Sequence, residues 1–298
     1  MASFDELQEI FVAQEFAMLG YAAPAGRVLQ PPSLLPAGND EALWAFFNTI
    51  PSNSQIYAPG GDKFFTAYSA LIDSLIAGDG VLDPVAAAKR RLASWGHKPP
   101  AWNVGYAGLK KQLAVAPSVS VGFGNQAEPD SGFWGLWGDS PAVSGPSAKF
   151  AAANLSVDIS IFKALSFTPT PGDWYVSSVL SLVHSTPSGL PWNPNSPITW
   201  QSTFGPDGNL QRFLTSLMVV SDMRVHFHSS AAFSAADQQL IQQNAAAGLW
   251  PYYLGAGDAS TSVRFDKAGQ MTASIISEAN TPIAIAANVL TAAQYLGG

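Results

Sequence analysis

Two of the four histidines, His226 and His228, lie two residues apart in the segment RVHFHS at residues 224–229. Successive side chains of a strand point to opposite faces, so both imidazoles are predicted on one face and Val225 and Phe227 on the other. Imidazole is a common ligand of divalent transition metals and a common general base. The spacing therefore predicts a metal site, a proton relay, or a polar strand face that binds nothing.

Two further side chains complete a ligand set for a metal. Asp222 precedes His226 by four residues, which places it on the same strand face, and His184 lies near the end of a predicted strand at 174–184. Three protein ligands and one open position are typical of a catalytic metal site. This hypothesis implies a divalent transition metal as cofactor, held by His226, His228 and either His184 or Asp222.

A glycine-rich segment at 132–138 carries the aromatic residues Phe133, Trp134 and Trp137. Tryptophan in a loop can stack on a sugar ring, lie at a membrane surface or fill a pocket of a partner protein. Glycine also lets a chain fold back on itself. The segment is therefore predicted either to contact a partner or to bury its own rings.

A second aromatic segment, LWPYY at 249–253, contains Trp250, Tyr252 and Tyr253. These rings are predicted either to line a pocket near His226 and His228 or to cover the end of the sandwich. Of the two interpretations, packing is favoured.

The composition is poor in charge. Of the 298 residues, 47% are hydrophobic and only 12% are charged, whereas globular proteins average about 25% charged residues. A surface with few charges favours contact with a partner, so a homo-oligomer or a protein, glycan or membrane-surface partner is expected. The net charge is −7 and no basic stripe is present, so no nucleic-acid partner is expected.

Several classes of site are excluded or lack their signatures. The chain has no cysteine, which excludes disulfides, thiolate nucleophiles and cysteine-ligated zinc. Phosphate-loop, nucleophile-elbow and His-Glu-x-x-His motifs are absent from the sequence. The N-terminus lacks the pattern of a secretory signal, and no transmembrane segment is predicted. We therefore expect a cytoplasmic protein, or one released without a classical signal peptide.

Capping residues predict helices in the first third of the chain. Asn39 or Asp40 and the pair Asp83-Pro84 are typical helix starts, and Gly20 and Gly96 are typical helix ends. A proline-rich connector is predicted after Gly20.

Alternating apolar residues predict strands in the second half, interrupted by one helix that begins at Ser234. The strands are predicted at 155–161, 174–184, 198–203 and 214–229, with a hairpin over 263–276. Helices followed by strands indicate an α+β fold. We predict a mainly helical part at 1–115, a Gly/Pro/Trp-rich connector at 116–150, and an antiparallel β-sandwich at 151–298 with a helix near 234–247, on which the helical part packs.

Three functions are consistent with these features. Composition favours an interaction protein that self-assembles or docks on a partner, a membrane surface or a glycan. The first alternative is a metal-dependent enzyme built on the histidine strand. The second is a metal-free enzyme or small-ligand carrier with an aromatic pocket, in which His226 or His228 acts as general base near Trp250 and Tyr252.

Overall fold

A computed structural model of the chain describes residues 2–22, 25–35, 38–54, 56–61, 63–80, 82–128, 136–137 and 144–297. The chain divides into two compact units, each assembled from three separate stretches. Unit 1 comprises Met1–Leu35, Lys110–Ser166 and Met218–Ala286. Unit 2 comprises Pro36–Leu109, Phe167–Leu217 and Ala287–Gly298.

Helices dominate the N-terminal part, as the capping residues predict. Asn39 accepts a hydrogen bond from the Ala42 N–H, and Asp83 accepts one from the Val85 N–H, so both residues cap free backbone donors. Gly96 has a φ of +67°, a backbone conformation that favours glycine at a helix end. The helices are α1 (Phe4–Leu19), α2 (Asp40–Phe47), α3 (Phe64–Ser74), α4 (Pro84–Trp95) and α5 (Tyr106–Leu113).

The strands that the structure describes join one sheet of eight. They are β1 (Ala2–Ser3), β2 (Gly26–Leu34), β3 (Val119–Glu128), β4 (Asn154–Phe167), β5 (Arg212–Ser229), β6 (Ala259–Phe265), β7 (Met271–Ser277) and β8 (Ile283–Thr291). The order is β1-β3-β4-β5-β7-β6, and β8 pairs with both β5 and β2. The pairs β3/β4, β5/β7 and β6/β7 are antiparallel, whereas β1/β3 is parallel.

This architecture confirms the predicted α+β class. The predicted sandwich is not confirmed, because the described strands form a single sheet rather than two facing sheets. Within unit 1, α1 lies against β3. No helix among the described residues has both the length and the apolar character needed to cross a bilayer.

Local signals placed several elements correctly. In β4, Leu155, Val157, Ile159 and Ile161 are buried, as the alternating pattern predicts. The inserted helix is α9 (Ala235–Asn244), and Ser234 and Asp237 form its capping box. A short 3-10 helix continues it over Ala245–Ala247.

Two predicted strands are helices instead. The segment at 174–184 folds largely into α7 (Ser177–Ser185), and the segment at 198–203 into α8 (Trp200–Phe204). Val179, Leu180 and Val183 are the buried residues of α7, and their spacing follows the helical period rather than the strand period. The capping box of Thr199 and Ser202 explains why α8 begins where a strand was predicted.

The elements that were not predicted include one strand and two helices. The proline-rich connector contributes β2, which pairs with β8, although Pro31 and Pro32 supply no backbone donor. The helices α6 (Ser144–Ala151) and α10 (Ala292–Leu296) are the other two. Pairing with β8, a strand more than 200 residues later in the sequence, decides the conformation of β2. A local sequence pattern does not predict such a distant partner.

Candidate functional site

His226 and His228 share one exposed face of β5. Val225 and Phe227 are buried on the other face, so the predicted alternation is observed. On β7 the partners of the two histidines are Ser274 and Thr272. The histidines therefore lie on an exposed face of the sheet in unit 1.

Asp222 already has partners for both carboxylate oxygens. Lys163 Nζ lies 2.8 Å from Asp222 Oδ2, and the Asn280 N–H donates to Asp222 Oδ1 at 2.9 Å. The hydrogen bond from Lys163 is the main reason why the pKa of Asp222 is lowered. Asp222 has a φ of +56°, and its contacts connect β4, β5 and the turn before β8. These contacts hold the three segments together, so the role they indicate for Asp222 is structural.

His184 lies on α7 in unit 2, whereas the other three predicted ligands belong to unit 1. Its ring packs against Phe204, with an edge contact at 5.1 Å between centroids, and against Trp200 at 6.1 Å. Among the residues that the structure describes, no group of three His, Asp or Glu side chains is placed to hold a metal ion. The structure therefore does not bring the predicted ligands together as a group of three.

The rings of Trp250 and Tyr252 belong to the core of unit 1. Trp250 is 0% exposed and Tyr252 is 2% exposed. Phe11 on α1 contacts both rings, with centroids 5.9 and 5.5 Å away, and Trp250 also contacts Phe150 and Phe227. These contacts favour the packing interpretation over a pocket.

Tyr253, the third ring of the segment at 249–253, is half-buried and has a φ of +53°.

In the glycine-rich segment at 132–138, Trp137 is buried. The backbone N–H of Trp250 donates to the carbonyl of Leu136, the residue before Trp137, at 3.0 Å. Phe133 and Trp134 lie outside the described residues. The predicted contact role of this segment therefore remains a prediction.

Glu15 is a carboxyl group within the core of unit 1. It lies on α1 and is 1% exposed. Burial raises its pKa to about 8, while the nearby Tyr252 hydroxyl acts in the opposite direction. Neither Glu15 Oε1 nor the Tyr252 hydroxyl reaches full hydrogen-bond geometry with a described group. Glu15 is therefore a protonated, uncharged side chain near neutral pH.

Unit 2 contains a cavity of about 140 Å³. Five aromatic rings line it, contributed by Phe47, Phe64, Trp102, Phe213 and Tyr295. The remaining walls come from Thr49, Arg212, Leu214, Thr215 and residues 168–171. Thr168 and Thr170 are exposed, so they form part of the mouth of the cavity.

Short backbone contacts position the elements around the cavity. An isolated bridge between Thr49 and Lys63 holds the end of α2 beside the start of α3. A second bridge joins Trp102 to Pro171, next to the end of β4. The Ala292 N–H donates to the Gln211 carbonyl at 2.7 Å, which places α10 beside the start of β5.

The rings of the cavity wall support one another. Phe213 and Tyr295 stack with centroids 4.5 Å apart and planes 17° apart. Phe64 meets Phe213 edge-on at 5.7 Å, and Phe47 contacts Trp102 at 6.1 Å. Aromatic pairs with such geometry hold their positions through their own contacts. The cavity is therefore preformed.

Arg212 is the only charged residue among the described residues that line the cavity. Its Nη1 donates to Gln211 Oε1 and its Nη2 to Asn53 Oδ1, both at 2.9 Å. A guanidinium has five N–H donors, and both of these partners are neutral amides. The cavity thus combines aromatic walls with one cation.

Sequence reasoning did not find this cavity. Its lining residues come from the end of α2 and Thr49 after it, α3, the loop at Trp102, residues 168–171 after β4, β5 and α10. Apart from the consecutive helices α2 and α3, these segments are far apart in the sequence, so their meeting is a result of the tertiary fold. The aromatic residues, which make up 11% of the chain, were the one signal in the sequence that pointed toward such a site.

Comparisons of the chain with protein-family models, curated proteins and solved structures found no match. The geometry of the chain itself is therefore the basis for assigning a function.

Proposed function

We propose that the chain binds a small, flat, mainly apolar ligand in the cavity of unit 2. The sequence predicted a small-ligand pocket near Trp250 and Tyr252 as one alternative. Those two rings are buried in unit 1, and the proposed pocket is the separate cavity of unit 2. The observation that carries the proposal is a preformed cavity of about 140 Å³ with five aromatic rings in its walls. Ligand sites are typically concave and apolar, with a few polar groups that orient the ligand.

The size of the cavity indicates the size of the ligand. An engineered apolar cavity of about 150 Å³ in another protein accommodates benzene. The cavity of unit 2 has nearly the same volume, so it accommodates one six-membered ring. Because the walls are held by ring contacts within the protein, little ordering is required when a ligand binds.

We expect benzamide, a neutral single-ring probe, to bind with a Kd of about 1 mM or below, equivalent to about 0.5 kcal/mol per heavy atom. The measurement is a titration followed by protein-observed NMR. Thr168→Trp is expected to abolish binding, because Thr168 is exposed and lines the cavity, so a large ring there closes the entrance without disturbing the core.

Thr66→Trp is the matched control, because Thr66 is exposed on α3 in unit 2 and does not line the cavity. Its affinity for benzamide is expected to equal that of the unmodified protein. Equal binding by the Thr168→Trp variant, or no binding by the unmodified protein, would contradict the proposal.

A second candidate function is self-association, which composition favours and which an exposed row of side chains on the sheet of unit 1 supports. Phe162 on β4 is 46% exposed and Ile276 on β7 is 42% exposed. Arg224 on β5 lies between them, since it pairs with Ile276 and its guanidinium carbon is 5.0 Å from the Phe162 ring centroid. Exposed apolar side chains that cluster in this way are typical of contact surfaces.

We expect sedimentation velocity to show dimers that dissociate in the double variant Phe162→Ser, Ile276→Thr. Val115→Ser is the control, because Val115 is also an exposed apolar residue of unit 1 but lies outside this row. A protein that is monomeric at every concentration, or one whose dimer survives the double substitution, would exclude this surface as the contact.

A further inference from the structure

We propose that the ligand of the unit 2 cavity is a single-ring carboxylate, an aromatic acid whose ring lies among the aromatic walls and whose carboxylate pairs with Arg212. This inference rests on the proposed binding function and specifies the chemical class of the ligand. It assigns Arg212 as the residue that selects an anionic ligand over a neutral one.

Arg212 has no internal counterion in the described part of the chain. No Asp or Glu there lies within 4.0 Å of its guanidinium, since the two ion pairs are Lys149–Asp237 and Lys163–Asp222. The chain carries 21 acidic and 14 basic residues, so acidic partners are in excess. Arg212 is half-buried at the cavity and keeps its positive charge without a carboxylate from the described residues, so its charge is available to an anion from outside.

Hydrogen bonds to neutral groups hold Arg212 in position. Gln211 donates from its amide nitrogen to the carbonyl of Pro206, which orients its oxygen toward Arg212 Nη1 at 2.9 Å. Asn53 accepts from Nη2 at the same distance. These neutral acceptors restrict the guanidinium without neutralising it. Its other N–H donors have no hydrogen-bond acceptor among the described residues.

The chemistry of the cavity matches that of an aromatic acid. Guanidinium and carboxylate are both planar and form two parallel hydrogen bonds. Two other polar groups of the wall are already occupied: Thr49 Oγ1 donates to the Ala45 carbonyl, and Thr215 Oγ1 donates to the Asn288 carbonyl. Arg212 is thus the group that discriminates by charge, while the rings of Phe213 and Tyr295 recognise a flat apolar body.

The test compares benzoate with benzamide, which have the same ring and the same number of heavy atoms. We expect benzoate to bind the unmodified protein about tenfold more tightly, as a charge-assisted hydrogen-bonded pair at a half-buried site provides. Added salt is expected to weaken benzoate binding and leave benzamide binding unchanged.

Arg212→Gln is expected to remove the preference for benzoate while benzamide still binds. Benzamide binding by this variant also shows that the cavity is intact. Arg90→Gln is the matched control, because Arg90 is exposed on α4 of unit 2 and does not line the cavity. It changes the net charge by the same amount and is expected to keep the full preference.

The outcomes separate the two proposals. Equal affinities for benzoate and benzamide in the unmodified protein would overturn the carboxylate inference and leave the cavity function standing. Binding of neither probe would overturn both. A preference for benzoate that persists in the Arg212→Gln variant would overturn the assignment of Arg212.

Discussion

Glu15→Gln is expected to remove a large pH dependence from the stability of the protein. Glu15 is 1% exposed on α1, and burial raises its pKa from 4.5 to about 8 in the folded state. In the unfolded chain the same carboxyl group is in water and ionises near its usual pKa. Folding therefore requires the proton to stay on Glu15 over a wide range of pH.

The direction of the effect follows from proton binding. At about pH 4 the carboxyl group is mostly protonated in both states, so it contributes little pH dependence. Between pH 4.5 and about 8 the folded state holds a proton that the unfolded state has released, so stability decreases as the pH rises. Above about pH 8 the group ionises in both states and the decrease levels off.

We expect the Glu15→Gln variant to exceed the unmodified protein in free energy of unfolding by about 4 kcal/mol at about pH 8. At about pH 5 the expected difference is below about 1 kcal/mol. Urea unfolding at the two pH values measures both quantities. Glu41→Gln provides the control, since Glu41 is exposed at the start of α2. Parallel stability curves for the Glu15→Gln variant and the unmodified protein would be incompatible with a buried, protonated Glu15.

Trp174→Ala is expected to lower the free energy of unfolding by about 3–5 kcal/mol. Trp174 is fully buried in unit 2 and contacts five other rings, those of Phe64, Phe65, Tyr68, Trp102 and Tyr175, with centroids 5.1–6.1 Å away. Removing the indole leaves a void that these rings cannot fill without moving. Urea unfolding followed by circular dichroism measures the loss.

Two controls separate ring packing from other effects. Trp174→Phe keeps an aromatic ring but loses the indole N–H that donates to the Ala101 carbonyl at 2.8 Å. That carbonyl keeps the Gly172 N–H as a donor at 2.9 Å. We therefore expect Trp174→Phe to lower the free energy of unfolding by less than half as much as Trp174→Ala does. Trp95→Ala removes a partly exposed indole on α4 and is expected to cost less than about 1 kcal/mol. If Trp174→Ala lowered the free energy of unfolding no more than Trp95→Ala does, Trp174 would not be central to the core of unit 2.

The histidine strand shows which structural features a local sequence pattern can predict. Alternation correctly placed His226 and His228 on the exposed face of β5, because the strand period depends only on the backbone of that strand. The proposed third ligand depended on a distant element. His184 was predicted on a strand but lies on α7, in the other unit, since apolar spacing in that short segment is compatible with both periods.

The sequence by itself determined the α+β class, the capped helices, the alternating strands β4 and β5, and the hairpin of β6 and β7. These features depend on neighbours within a few residues, where side-chain period and capping hydrogen bonds dominate. Only the tertiary structure decided that β2 pairs with β8, that Glu15 enters the aromatic core of unit 1, and that six separate segments enclose the cavity beside Arg212. The reason is physical: burial and cavity formation arise from contacts between segments far apart in sequence, and no local spacing of residues specifies which segments meet.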